Sequence, residues 1–431
     1  MSILIAIAIL PAVLAYIYFL SRSVLLGWIS ILAVLFYNYS FGLEIINAGG
    51  LNLTLVDVVQ VCLLFAGIIR TIQRRHERNT ARRIALFYLA FFAFSLARGT
   101  MAHGFAHAAS GSRLFVAFLI SCLYFLSAPY GPESVRKYLR VYLCYGIGLT
   151  LIAILATVGM KVGAVAWAMG DADIIAGAQG RVLPSTCSLA ICFCFFLALA
   201  ESRYRNSSIW FKWMPAVFLG LSVYLRSRSV WAVLAVGIAL LFFVDKSLFR
   251  RVIPIAVLAV CFTAVYAVLS GAGIQKAANQ ISTSSSDEES WLFRLATWQA
   301  LLGENQTVSS VLIGRDLGGG YLAFNQLQQR YIDVVPHNEY VVQYLSVGIA
   351  GVVLVLSFTF YPLKRFWKLS YTDMGAVDPS ASAWVVIIIG IVVYSIPYQP
   401  DTDAYALLGM ANAIVFGLNK EQESPAIPAG A

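Results

Sequence analysis

His337, in the run Pro336-His337-Asn338-Glu339, is the residue of this sequence best suited to moving a proton. Asn338 is a predicted N-cap and a long apolar stretch begins at Glu339, so the positive end of a helix faces the imidazole. That field disfavours imidazolium and predicts a neutral ring able to take a proton from a hydroxyl. The same helix end attracts phosphate. The plainer alternative is a solvated loop histidine. Arginines supply the complementary chemistry. Arg181 follows Gly180 at the start of an apolar segment, Arg226 and Arg228 share the tight turn Arg226-Ser227-Arg228-Ser229, and Arg294 lies on a predicted helix near Trp298. Guanidinium forks bind the oxygens of a diphosphate in pairs and do not lose their charge. Arg315 and Asn338 complete the candidate binding set. For each arginine the competing reading is a solvated or snorkelling side chain at a helix end.

Other clusters promise less. His103 and His107 are four apart and can share a helical face, but no third ligand stands near them, and no metal or cofactor is expected. Gly314-Arg315-Asp316-Leu317-Gly318-Gly319-Gly320 lacks the strand before and the Lys-Ser/Thr after that a nucleotide loop needs, so it reads as a sharp turn or a close backbone approach. Asp171 and Asp173 are either acceptor-side contacts or a solvated turn. The seven cysteines fall in or at the ends of apolar segments and read as small buried residues, with no disulfide framework implied.

The elements that position these residues are apolar throughout. Of 431 residues, 60% are hydrophobic and 12% charged, with a mean hydropathy of +0.78, which only a membrane accepts as solvent. Segments long enough to cross a ~30 Å hydrocarbon core as helices recur from end to end. They lie near 2–20, 24–37, 54–69, 84–97, 114–128, 138–160, 185–200, 210–225, 229–244, 252–270, 339–361, 382–397 and 403–418. The expected fold is an all-α polytopic membrane bundle of about 12–13 transmembrane helices. The first segment has no basic flank and no small-residue cleavage site, so it reads as a mature helix rather than a signal peptide.

Alternating these segments sends twenty of the thirty Lys and Arg to one set of loops, with the run Arg70 to Arg83 the strongest contributor. By the positive-inside rule that set is cytoplasmic, which accounts for the net charge of +9 without a nucleic-acid partner. The organisation predicted is transmembrane helices with short loops over 1–270, one large outer loop over 271–338, further transmembrane helices over 339–418 and a cytoplasmic tail over 419–431. In a bacterium the outer loop is periplasmic. Within it, Asp287, Glu288 and Glu289 precede Trp291, Leu295, Trp298 and Leu302 at helical spacing. That is either a helix lying in the membrane interface with tryptophan anchors or a packing helix.

Taken together, His337-Asn338-Glu339-Tyr340 with Gly348-Ile349-Ala350-Gly351, Arg294-x-x-x-Trp298-x-Ala300 followed by the glycine cluster, and Arg226-Ser227-Arg228-Ser229 resemble, in order and spacing, the O-antigen ligase and polymerase superfamily. The resemblance spans roughly residues 180 to 352; the first 170 residues match in hydropathy alone. It implies an inverting, metal-independent glycosyltransferase of the bacterial inner membrane with its site facing the periplasm and a glycan on undecaprenyl diphosphate as donor. In such an enzyme His337 would activate the acceptor hydroxyl, while Arg181, Arg228 and Arg294 would hold the diphosphate. A ligase passes the glycan to lipid A-core; a polymerase extends a second lipid-linked glycan. The acidic serine run and the lack of a second large outer loop favour ligase. The rival of another class is a lipid-linked oligosaccharide flippase or other transporter. Transporters usually carry ionisable residues near the midplane and some internal repeat; here the predicted span centres are almost free of Asp, Glu, Lys and Arg, and no repeat is found. A scaffold subunit of a polysaccharide export complex is a third reading, and it leaves the arginines and His337 without a role.

Overall fold

The computed structural model describes residues 2–41, 46–48, 51–74, 79–129, 131–162, 183–203, 210–225, 227–269, 288–303, 307–325, 330–333, 336–371 and 380–423. Every apolar segment read from the sequence falls on a helix. In chain order these are α1 (Ser2–Arg22), α2 (Val24–Phe41), α3 (Leu55–Gln73), α4 (Thr80–His103), α5 (Phe105–Gly111), α6 (Arg113–Leu123), α7 (Pro132–Val162), α8 (Ser185–Glu201), α9 (Trp210–Tyr224), α10 (Arg228–Val244) and α11 (Lys246–Leu269). Then follow α12 (Glu288–Gly303), α13 (Val308–Ile313), α14 (Glu339–Tyr371), α15 (Ala381–Tyr394) and α16 (Thr402–Glu423).

Among the described residues, four helices are long and apolar enough to cross a membrane: Leu55–Gln73, Thr80–His103, Glu133–Ala156 and Glu339–Leu369. Phe105–Gly111 and Arg113–Ser127, bent by 61°, make a fifth if they act as one span. Leu10–Arg22, Val24–Ser40, Ser185–Glu201, Arg228–Val244, Ala381–Tyr394 and Thr402–Leu418 are shorter apolar helices. Of these, α8 is apolar on every side and buried from Cys187 to Glu201, while α15 is buried over most of its length. These helices, with α16, form the centre; α9 and α7 pack on α8, α10 on α15, and α6 on α16. Around them Leu14, Phe19, Phe65, Phe87, Phe94, Leu155, Phe243 and Val260 are exposed, a spread of large apolar side chains that a water-soluble surface does not carry. The chain is therefore a helical membrane protein.

Two features depart from the all-helical expectation. Ile46–Ala48 pairs antiparallel with Leu51–Leu53, and within the predicted outer loop Leu322–Asn325 pairs antiparallel with Arg330–Asp333. Both runs are too short to give a readable alternation of apolar and polar residues. Cys144 and Cys261 are exposed rather than buried, on helix faces that point away from the core, while the other five cysteines are buried as expected.

Charges gather at helix ends. Arg136 and Arg140 both meet Glu201, at 2.7 and 3.2 Å, and Arg203 meets Asp245 at 2.6 Å. Buried Arg70 donates to the Ser21 carbonyl at 2.6 Å and to the Ser127 carbonyl at 3.0 Å, tying three helix ends together. At the opposite end of the bundle, Arg98 pairs with Asp316 at 3.5 Å and Arg113 with Asp57 at 3.1 Å.

Candidate functional site

Helix α14 begins where the sequence places its cap. The Asn338 side-chain oxygen accepts from the Val341 N–H at 3.0 Å, and the Glu339 N–H donates to the Ser395 carbonyl at 3.0 Å. The first bond is the N-cap; the second fastens the helix start to the segment that joins α15 to α16. Asn338 is buried and its oxygen is committed to the cap, so its contribution is to place its neighbour. That neighbour, His337, has a φ of +49°, in the left-handed region. The Trp298 indole donates to the Pro336 carbonyl and so holds the peptide on the other side of the histidine. Trp298 thus turns inward from α12 instead of anchoring it in the interface, whereas Leu295 and Leu302 of the predicted stripe are exposed.

Arg294, one turn before Trp298, reaches the same place. Its guanidinium donates to the Pro397 carbonyl and to the Tyr398 hydroxyl, both at 3.2 Å, and lies 4.7 Å from the centre of the Tyr398 ring. The His337 and Tyr398 rings stand edge to face at 6.2 Å, and Tyr398 stacks on Tyr394 at 5.7 Å. Tyr398 is therefore a shared floor beneath a cation and an imidazole, and it orients Arg294 by a cation–π contact and a hydrogen bond together. Burial pushes the His337 pKa below its usual value, and the Arg294 charge lowers it further. Both causes favour the neutral ring, the form that can accept a proton.

The other candidates are placed differently. Arg315 is turned to the scaffold: its backbone N–H donates to the Leu345 carbonyl at 2.6 Å and its side chain to the Leu301 carbonyl at 3.0 Å, at the C-terminal end of α12. Arg228 is the exposed first residue of α10. Beside it, Ser227 and Ser229 bond to each other at 3.1 Å and to Ser185 at 2.7 and 3.2 Å, which seats the turn on the start of α8. Arg181 and Arg226 lie outside the described residues, as do Asp171 and Asp173. His103 and His107 are exposed beside the Gly318-Gly319 backbone, and among the described residues no group of three or more His, Cys, Asp or Glu converges.

The glycine cluster is held through Arg98, near the C-terminal end of α4. Its guanidinium donates to the carbonyls of Gly314 and Arg315 at 3.0 and 2.9 Å as well as pairing with Asp316. Gly314, at φ +78°, lies so close to α14 that a Cβ there would stand 2.3 Å from the Ser346 carbonyl carbon. Reciprocally, α14 breaks at Gly348, with φ +73°, where a Cβ would stand 2.3 Å from the Leu312 carbonyl oxygen.

Sequence reasoning missed what lies behind His337. Glu339 and Gln343 are buried, with Gln343 donating to Glu339 at 2.8 Å and accepting from the Tyr88 hydroxyl at 2.7 Å. The four-residue spacing of Glu339 and Gln343 was the available signal. No family model matches this chain, and a search among curated proteins finds no significant relative.

Proposed function

We propose that the chain is an inverting glycosyltransferase of the bacterial inner membrane that moves a glycan from undecaprenyl diphosphate to an acceptor hydroxyl, acting as an O-antigen ligase on lipid A-core. In this reading all 12–13 apolar segments cross the bilayer, residues 271–338 face the periplasm, and the enzyme belongs with the O-antigen ligases and polymerases that its motifs resemble. The observation that carries it is the pairing of a neutral, conformationally fixed His337 with Arg294 across Tyr398, at one end of a set of apolar helices.

The chemistry follows from those two groups. The acceptor hydroxyl gives its proton to the neutral imidazole as its oxygen bonds to the anomeric carbon, and the bond from that carbon to the diphosphate breaks from the opposite face, inverting the configuration. The bonding pair leaves on a phosphate oxygen. Arg294, with Arg228 and Arg181, binds the diphosphate and stabilises the negative charge that grows on it, the role a divalent cation plays elsewhere. Arg315, Asn338 and Trp298 keep the loop and the histidine in position, and Arg226 adds cationic charge to the turn before α10.

Reconstituted transfer with purified protein, lipid-linked glycan and lipid A-core tests this directly. His337→Ala is expected to lower transfer by about 10²–10⁴-fold while membrane insertion and Tm stay near wild type. Near-normal transfer in that variant removes the histidine from the mechanism. Offering a second lipid-linked glycan instead of lipid A-core separates ligase from polymerase, because the accepted partner defines the enzyme.

A further inference from the structure

A cavity of about 360 Å³, lined in part by Gln399 to Thr402 of the segment that joins α15 to α16, lies at the same end of the helices as His337. Its volume is that of a small-molecule site. Asn38 from the end of α2, Asp57 and Gln60 from the start of α3, Arg113 from the start of α6, and Gln399 and Asp401 from the joining segment line it. We propose that this cavity holds a sugar ring of the glycan substrate, a reading that rests on the transferase function above.

The lining chemistry selects for hydroxyls. Amides both donate and accept, and carboxylates accept at several lone-pair positions, which matches a ring bearing several hydroxyl groups that do both. An anionic ligand is disfavoured, because Arg113 is already engaged by Asp57 at 3.1 Å and by the Asn52 carbonyl, while Asp57 and Asp401 both face the space. The carboxylates are also held in place. Asp401 accepts from the Tyr39 hydroxyl and from the Thr402 N–H at 2.6 Å, and Gln60 donates to Thr402 at 2.7 Å. Fixed polar groups of this kind give orientation at low entropic cost. Leu35 and Leu114 offer apolar surface for the C–H face of a ring.

Position connects the cavity to the transfer site. Tyr398, the floor under His337 and Arg294, is three residues from Asp401, a span of at most about 11 Å along the chain. The segment that carries Tyr398 at the transfer site thus also carries part of the cavity's lining, Gln399 to Thr402, so a glycan with its reacting end at His337 has a polar pocket built on the same short stretch of chain. The site would then read the sugar next to the reacting one.

The test uses the full-length protein in nanodiscs and the double variant Asn38→Leu, Gln399→Leu, which removes two amides at nearly constant volume. Donor and acceptor concentrations are varied separately in the transfer assay. The expected result is a rise of about tenfold in the KM of one glycan substrate, with kcat within about twofold and Tm unchanged. A rise confined to the acceptor assigns the cavity to the acceptor's sugars, and one confined to the donor assigns it to the donor glycan. Wild-type KM values for both, in a folded variant, overturn the proposal and leave the transferase reading intact. Direct binding of lipid-free core oligosaccharide and of repeat-unit oligosaccharide provides the arm that survives failure of that reading. If the wild type transfers nothing but binds one of them more tightly than the double variant does, the cavity stands. Binding of neither overturns it.

Discussion

Among the described non-glycine residues His337 alone has a positive φ, a conformation that costs an ordinary residue on the order of 1–2 kcal/mol. It persists because the peptides on either side are held, by the Trp298 indole before it and by the Asn338 cap and the Ser395 carbonyl after it. The fixed ring carries a pH signature. Burial first and the Arg294 charge second lower its pKa, so the neutral base predominates at pH values above that lowered pKa. The acidic limb of kcat/KM is therefore expected below the ~6.5 of an ordinary histidine. Arg294→Gln removes the second cause and leaves the first. The limb should move upward in pH, while the maximal rate falls by roughly 10²-fold through loss of diphosphate stabilisation. A limb that stays in place shows that His337 is not the titrating group. The histidine and the helix start behind it were legible from four consecutive residues. Tyr398 was not, because it reaches the site from 61 positions further along the chain, and nothing local to Pro397-Tyr398-Gln399 marks a contact with Arg294.

At the scale of elements, the break in α14 decides where the loop sits. Residues before Gly348 form a short helix that carries His337's cap, and residues after it form the long apolar helix; the change of direction leaves the Leu345 carbonyl free to accept the Arg315 N–H. Gly348 and Gly314 are pressed reciprocally against each other's elements, so both need a positive φ and the absence of a Cβ. Gly348→Ala is expected to destabilise the protein by at least about 2 kcal/mol, from the left-handed backbone and the contact with Leu312 together. Gly303→Ala, at the end of α12 where a Cβ meets nothing within 4 Å, is the matched control and should leave stability unchanged or slightly raised. Thermal unfolding of both variants in detergent checks this, and equal Tm values would mean that the two glycines do not lock the loop to α14. The glycines were visible in the sequence as a turn signal, and the helices as runs of apolar residues. Their mutual contact was not, since close approach between 312–314 and 346–348 depends on Arg98 of α4, a residue outside both motifs. The two hairpins were equally hidden, because three- and four-residue strands carry no period to read.

For the whole molecule, the proposed transfer requires that one end of the helices faces the donor's diphosphate. His337, Arg294, Arg228, the Arg98–Asp316 pair and the cavity beside Asp401 all belong to the same end, whereas Glu201 with its two arginines and the Arg203–Asp245 pair mark the other. The second end also holds the richer share of Lys and Arg, and in the proposed orientation the positive-inside rule turns it toward the cytosol. The five ion pairs named above all lie at helix ends rather than at mid-helix. Orientation can be measured by single cysteines introduced into a cysteine-free background. Val308→Cys, at a position 79% exposed in the loop that holds α13, should react with a membrane-impermeant maleimide in cells whose outer membrane has been permeabilised. Ser247→Cys, exposed at the start of α11 beside Asp245, should react only after the inner membrane is opened. The reverse pattern would put His337 and Arg294 on the cytosolic side, away from a periplasmic acceptor, and transfer to lipid A-core in the periplasm would then be impossible for this chain whatever the chemistry of its site.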